Sequence, residues 1–277
     1  MKILLIIPAY NEEESILNTI NKIKEYSDEI NYVVINDGSK DNTWNLIEEI
    51  SDKEKLFTGI SLSRNRGHQN ALFAGLMTAK NYADIVISMD ADLQDDINAI
   101  DEMIEKYNNG AQIVYGVRSS RKKDTAFKRI TAEGFYKFMK LMGVEVVFNH
   151  ADYRLTSKRV LEELENYGEI NLFLRGMFPL IGFKTDIVYY ERNERFAGSS
   201  KYPLKKMLSF AWEGITSFSV KPIKMILNIG IIMFVLSIIM IIYSIISKCL
   251  GNAVDGWTFI TCSIWLVAGI QMLSLGI

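Results

Sequence analysis

The chain has 277 residues, 49% of them hydrophobic, and a formal net charge of −2. That length allows one large core or two small ones, and the near-neutral charge carries no electrostatic footprint for nucleic acid. The two cysteines, Cys249 and Cys262, lie in or beside the most apolar third without metal-ligand spacing, so a disulfide framework is excluded.

The apolar run at the N-terminus ends at Pro8 and meets Asn11-Glu12-Glu13-Glu14 with no small-residue cleavage site. A first buried strand fits this better than a signal peptide. From there strand-like and helix-like segments alternate. Ile3 to Ile7, Tyr32 to Asn36, Phe57 to Leu62, Ile85 to Met89 and Gln112 to Val117 read as strands. Ser15 to Tyr26, Thr43 to Ser51, Gln69 to Lys80 and Ile97 to Asn108 read as helices. This order predicts an α/β fold with a mostly parallel sheet and helices on both faces. Neither G-x-G-x-x-G nor G-x-x-x-x-G-K-[ST] occurs, which argues against a dinucleotide dehydrogenase and a P-loop NTPase.

Polar clusters follow the strands instead. Pro8-Ala9-Tyr10-Asn11-Glu12 follows the first, Asn36-Asp37-Gly38-Ser39 the second and Arg64-Asn65-Arg66-Gly67 the third. Asp90-Ala91-Asp92-Leu93-Gln94-Asp95 follows the fourth and Arg118 the fifth. In an open α/β sheet ligands bind beyond the carboxyl ends of the strands, so the five clusters predict one shared site. Asp90 and Asp92, two residues apart, face the same way in extended backbone and repel each other. Either a hard divalent cation shared with substrate phosphates offsets that repulsion, or the pair is a solvated turn with Asp95 or Asp96 capping the next helix. Asn36 to Ser39 is also good turn chemistry, with Asp41 or Asn42 as a cap, and Asn11 or Ser15 could cap the first helix. His68 and His150 lack partners at ligand spacing. His68 therefore reads as a surface or core histidine, and His150 draws notice only through its neighbour Asp152.

Composition changes near residue 220. Met225 to Ile246 carries no charge, and after a short polar break Trp257 to Ile277 forms a second uncharged span. Both suit transmembrane helices of about 20 residues, the alternative being buried helices of a soluble core. Lys201, Lys205, Lys206, Lys221 and Lys224 precede the first span, which by the positive-inside rule puts residues 1 to 224 in the cytoplasm. Leu204, Met207, Leu208, Ala211, Ile215 and Phe218 recur at helical spacing. They describe an amphipathic helix, lying in the headgroup region or packed on the sheet.

Taken in order, these strand-end motifs resemble glycosyltransferase family 2, whose enzymes have the GT-A fold. Ala151-Asp152-Tyr153-Arg154-Leu155, Arg195-Phe196-Ala197-Gly198-Ser199-Ser200-Lys201-Tyr202 and the paired spans narrow the resemblance. They are similar to the polyprenyl-phosphate glycosyltransferases, which include dolichol-phosphate mannose synthases and bacterial undecaprenyl-phosphate sugar transferases. Two departures stand out: Asn36-Asp37 replaces the usual aspartate pair, and Asp96-Ile97 replaces the usual prolines after the metal motif.

The resemblance implies that Pro8, Tyr10, Glu12 and Asp37 hold the nucleoside. It implies that Asp90, Asp92 and Gln94 surround Mg²⁺ or Mn²⁺ and the diphosphate of a nucleotide-sugar donor. Asp152 stands where the subgroup has its proposed base, and either removes a proton or orients acceptor or sugar; a helix cap or an ion pair with Arg154 is the structural alternative. Arg118, Arg129, Arg195, Ser199 and Lys201 are the candidates for the phosphate of a polyprenyl-phosphate acceptor. Three parts are expected: a cytoplasmic GT-A domain over 1–198, an interfacial amphipathic segment over 199–223, and two transmembrane helices within 224–277. The expected activity is inverting transfer of a sugar, glucose first, from a UDP-sugar to undecaprenyl phosphate at the cytoplasmic membrane. Transfer from GDP-mannose, a processive polysaccharide synthase and a non-catalytic membrane scaffold are the alternatives, and a homo-oligomer fits the spans. No Gln-x-x-Arg-Trp segment supports the processive reading.

Overall fold

A computed structural model describes residues 1–27, 29–92, 94–119, 134, 137–138, 141–143, 150–168, 172–191, 219–252 and 256–276. Arg129, Arg195, Ser199, Lys201 and the expected interfacial segment up to residue 218 lie outside the described residues. Two compact units emerge, one comprising Met1–Phe138 with Glu145–Glu213, the other Met139–Val144 with Gly214–Ile277.

In the first unit the elements run β1 (Ile3–Ala9), α1 (Ile16–Tyr26), β2 (Asn31–Asn36), α2 (Thr43–Lys53), β3 (Phe57–Ser61), α3 (His68–Ala79), β4 (Ile85–Ser88), α4 (Ala99–Asn108) and β5 (Ile113–Arg118). β6 (His150–Ser157), α5 (Lys158–Glu165), α6 (Leu174–Leu180) and β7 (Thr185–Tyr190) complete it. The strands form a seven-stranded sheet in the order β3-β2-β1-β4-β6-β5-β7. β1 and β4 are continuous apolar runs because both sheet faces are covered; Leu5, Ile6, Ile7, Ile85, Val86 and Ile87 are fully buried. α1 packs through Ile16, Ile20 and Ile23, a stripe at helical spacing.

The sheet is mixed. β1 pairs in parallel with β2 and β4, while β6 runs antiparallel to both β4 and β5. This reversal, which the periodicity of the first 118 residues does not disclose, decides the site. The amino end of β6, rather than its carboxyl end, stands beside the carboxyl ends of β4 and β5. Ser88 is paired with Arg154. Ser88 Oγ also donates to the Asp152 carbonyl, which brings Asp152 to the end of β4, where Asp90 follows.

In the second unit α7 (Lys221–Cys249) and α8 (Trp257–Gly276) have 29 and 20 residues. α7 extends about a turn beyond the uncharged span at its N-terminus, opening with Pro222 in the first turn, where no helical N–H is lost. The two helices touch through small residues. A Cβ on Gly230 would stand 2.8 Å from the Met272 backbone, and one on Gly269 would stand 3.1 Å from the Phe234 Cα. Close backbone approach of this kind is how apolar helices associate without a hydrophobic drive between them. Ile232, Ile239, Ile246, Phe259 and Ile264 are exposed. Both helices are long and apolar enough to cross a membrane.

Candidate active site

The loops after β1, β2 and β3 are stapled to one another. Asn11 adopts a positive φ of 53°, and the loop it opens gives up successive N–H groups to its neighbour. Asn11 N–H donates to Ser39 Oγ (3.0 Å), Glu12 N–H to Thr43 Oγ1 (2.9 Å) and Glu13 N–H to Asp41 Oδ2 (3.3 Å). Asn11 Oδ1 accepts from Lys40 N–H at 2.9 Å. The third loop is tied to the second through Asp37, which is buried. Its carboxylate accepts from Arg66 N–H (2.7 Å), Gly67 N–H (2.9 Å) and Asn65 Nδ2 (3.0 Å). Gly38, at φ +64°, lies so close to this loop that a Cβ would be 2.5 Å from Asn65 N. Asn36-Asp37-Gly38-Ser39 is therefore both a turn and a clamp on Arg64 to Gly67.

The capping readings resolve individually. Asp41 Oδ1 accepts from Thr43 N–H at 3.1 Å at the start of α2, and Asp96 Oδ1 accepts from Asn98 N–H at 3.0 Å just before α4. Ser15 sits at the N-cap of α1 but turns its hydroxyl to Glu12 Oε2 at 2.6 Å. Pro8 is buried in β1, with Tyr10 and Glu12 half-buried at its carboxyl end.

After β4 the chain turns through Asp90 and Asp92, both half-buried, to the buried Gln94 and Asp95. Asp92 Oδ1 accepts from Gln94 N–H at 3.2 Å, which fixes the turn. Asp95 accepts from the Tyr190 hydroxyl and, at 3.4 Å, from Asp90 N–H. Burial raises the Asp90 carboxyl above its ordinary range; His68 and Arg118 oppose this, while Asp92 and Asp152 add to it. Burial and the Asp90 charge push Asp95 up to about 7, against the hydrogen bond from Tyr190. Arg118 stands near Asp95, Asp90 and Tyr190, with its Nε buried and without a hydrogen-bond partner among the described residues.

Asp152 is 4% exposed and surrounded by donors. Arg154 Nη2 lies 2.6 Å from Oδ1, Arg175 Nε 3.2 Å from Oδ1 and Arg175 Nη2 3.0 Å from Oδ2. Gln69 Nε2 is 3.2 Å and His68 Nε2 3.3 Å from Oδ2. Burial alone would raise this carboxyl, yet Arg175, His68 and Arg154 hold it well below the usual range. Arg154 is itself wholly buried, its guanidinium 4.3 Å from the centroid of the Phe178 ring. Of the two structural alternatives for Asp152, the helix cap is ruled out because the residue lies within β6, whereas the ion pair with Arg154 exists and a second arginine joins it.

His68 corrects the reading from spacing. It lies at the N-terminus of α3, with Nε2 3.6 Å from Asp90 Oδ1 as well as 3.3 Å from Asp152. Burial would lower its pKa, but the Asp152 hydrogen bond and the two carboxylates prevail and raise it. Gln69 and Arg175 also belong to this cluster, and Gln69 Oε1 accepts from Leu174 N–H at 3.1 Å, tying α6 to the site. Sequence spacing missed these residues because their partners are 22 to 105 positions away. The available signal was local: His68 and Gln69 directly follow the polar cluster after β3.

Of the expected site residues that are described, Asp90, Asp92, Gln94, Asp152 and Arg118 gather around the ends of β4, β5 and β6. Pro8, Tyr10, Glu12 and Asp37 lie at the ends of β1 and β2. The Asp90–Asp92 region suits a hard cation: its donors are carboxylate oxygens, and a cation there would offset both the burial and the neighbouring carboxylates that raise Asp90. Among the described residues no group of three or more His, Cys, Asp and Glu could hold a metal by itself. Mg²⁺ needs only one or two carboxylates when phosphate oxygens and water supply the rest.

The glycosyl transferase family 2 model matches residues 4–165. The Bacillus subtilis glycosyltransferase YkoT is 50% identical over 283 residues, covering 99% of this chain and 84% of that protein. The prophage bactoprenol glucosyl transferase homolog of Escherichia coli K12 is 41% identical over 286 residues, covering 100% of this chain and 92% of that protein. Among solved structures, the crystal structure of a mycobacterial protein superposes with a TM-score of 0.53 at 18% identity, over 76% of this chain and 71% of that one. That likeness concerns the fold alone. The chain belongs to glycosyltransferase family 2, with the GT-A fold, and to its polyprenyl-phosphate glycosyltransferase subgroup.

Proposed function

We propose that this protein is an inverting glycosyltransferase that moves a sugar, glucose first, from a UDP-sugar to undecaprenyl phosphate on the cytoplasmic face of the membrane. The observation that carries the reading is the full-length match to a bactoprenol glucosyl transferase homolog, in a chain that ends in two long apolar helices. The division of labour follows the expected parts: residues 1–198 catalyse, 199–223 lie at the membrane interface, and the two C-terminal helices anchor the protein.

In this reading Pro8, Tyr10 and Glu12 line the nucleoside subsite, while Asp37 holds the Arg64 to Gly67 loop beside it. Asp90 and Asp92, with Gln94, would hold Mg²⁺ or Mn²⁺. The cation supplies Lewis-acid neutralisation of charge on the departing nucleoside diphosphate. Asp95 fixes the Asp90 backbone, and Tyr190 fixes Asp95. Arg118 adds positive charge beside Asp90. A lipid phosphate oxygen is already anionic near neutral pH, so the acceptor can attack the sugar carbon in line without a strong base. Arg129, Arg195, Ser199 and Lys201 remain assigned to that phosphate on the resemblance.

The deciding experiment incubates labelled UDP-glucose with membranes carrying the protein, undecaprenyl phosphate and Mg²⁺, beside a panel of other UDP-sugars and GDP-mannose. A lipid-extractable product of undecaprenyl phosphate plus one hexose is expected from UDP-glucose. No product from any donor would sink the reading, and product from GDP-mannose alone would replace the donor.

A further inference from the structure

The carboxylate of Asp152 has no capacity left for a proton. Its two oxygens offer about four lone-pair directions. Against these stand Arg154 Nη2, Arg175 Nε, Arg175 Nη2, Gln69 Nε2 and His68 Nε2, all between 2.6 and 3.3 Å. The two arginines differ in setting. Arg154 is fully buried, so its charge needs Asp152 close by; Arg175 grips both carboxylate oxygens yet keeps 35% of its side chain exposed. One carboxylate therefore faces two guanidinium groups, of which Arg175 is the accessible one.

The fold fixes Arg175 in place. α6 buries Leu174, Met177 and Phe178, and Leu174 N–H is held by Gln69. Arg175 is left on the half-buried side, where its fork closes on Asp152. Contacts run from Asp90 through His68 and Asp152 to Arg175. Arg175 is the member furthest along that series from the carboxylates proposed to serve the leaving diphosphate. An in-line displacement brings the nucleophile from the side opposite the leaving group, and an anionic nucleophile needs a cation there.

We propose that Arg175 receives the attacking phosphate and that Asp152 is its fixed counter-ion rather than a proton acceptor. This rests on the acceptor being a lipid phosphate, as proposed above. Asp152 then pre-orients the guanidinium before substrate arrives, so less ordering is left for the bound complex. Gln69 is a positioning residue that holds Asp152 and α6 together.

Steady-state kinetics of the full chain in detergent, varying undecaprenyl phosphate and the nucleotide sugar separately, tests this. Arg175→Ala should raise the KM for the lipid phosphate at least roughly tenfold, the scale of a lost charge-assisted hydrogen bond. The KM for the nucleotide sugar should stay within about twofold, which also reports an intact donor site, and Arg175→Lys should recover part of the loss. Asp152→Asn should lower the rate at every pH while leaving the acid limb of the pH profile where wild type has it. An unchanged acceptor KM in Arg175→Ala, or an acid limb abolished by Asp152→Asn, overturns the proposal. Wild-type protein that glycosylates no lipid phosphate removes the acceptor assignment, and this proposal with it; a normal wild type with an unaffected Arg175→Ala refutes the proposal alone.

Discussion

The two halves of the site are built by different physics. Around β1, β2 and β3, backbone N–H groups are met by Ser39, Thr43, Asp41 and Asp37, and each loop holds the next in shape. Around β4, β5 and β6, ionised groups are crowded: Asp90 sits among Asp92, Asp152, His68 and Arg118, and two arginines share Asp152. The first half is satisfied before any ligand arrives. The second keeps like charges together at a cost that a bound cation would offset. A binding surface gains from rigidity, whereas a reacting centre gains from charge whose balance improves as the reaction proceeds.

The sharpest way to break this contrast is to remove charge from the second half. Asp92→Ala deletes one of the two carboxylates proposed to hold the cation. We expect transfer to fall by about 10²- to 10³-fold, the scale of lost electrostatic stabilisation of a transition state. Radiolabelled transfer to undecaprenyl phosphate across a Mg²⁺ titration checks it. Unaltered product yield at every Mg²⁺ concentration would mean that the acidic turn is only a turn.

How much of this was legible in the sequence differs between the halves too. Alternating apolar runs gave the first five strands and four helices within a residue or two, because each is a local pattern. The Asp90-Ala91-Asp92 pair was legible for the same reason. Neither β6 nor its direction was. An eight-residue strand reads alike in either sense, and only its pairing with β4 and β5 brings Asp152 to the end of β4, where Asp90 follows. His68 looked isolated because its two carboxylates come from β4 and β6, 22 and 84 residues further on. The grip of Arg175 on Asp152 was not legible, since its partner lies 23 positions earlier in the chain.

A smaller effect is expected in the first half. Asp37→Asn keeps the shape of the side chain but removes the charge that three donors share. One amide oxygen cannot serve Arg66 N–H, Gly67 N–H and Asn65 Nδ2 together, so the third loop should loosen. Lost hydrogen bonds to a charged group are worth about 1.5–3 kcal/mol each before relaxation. We expect the KM for the nucleotide sugar to rise by roughly tenfold with kcat changed much less, because a binding surface has lost shape while the reacting charges are intact. Separate determination of kcat and KM checks this, and a fall in kcat at unchanged KM would erase the distinction between the halves.

The least effect on activity and the clearest on stability belongs to Asp95, which lies between the reacting charges and the core. Its carboxyl titrates at about 7 in the folded chain against an ordinary value of 3.8, because burial and Asp90 both disfavour the anion. The folded state therefore holds this proton more tightly than the unfolded state does. Its stabilising contribution is complete below about pH 4 and is lost as pH rises toward 7, above which the buried charge is a fixed penalty. Asp95→Asn keeps an oxygen to accept from Tyr190 and from Asp90 N–H but carries no charge to bury. At pH 8, without divalent ions, the variant should melt several degrees above wild type, given about 2–4 °C per kcal/mol for a domain of this size. At pH 5, where wild-type Asp95 is protonated when folded but ionised when unfolded, the difference should shrink to less than half. Thermal unfolding of the two proteins at both pH values decides it. A melting difference that stays the same between pH 5 and pH 8 would show that folded Asp95 is already ionised at pH 5, and that burial and Asp90 do not hold its proton.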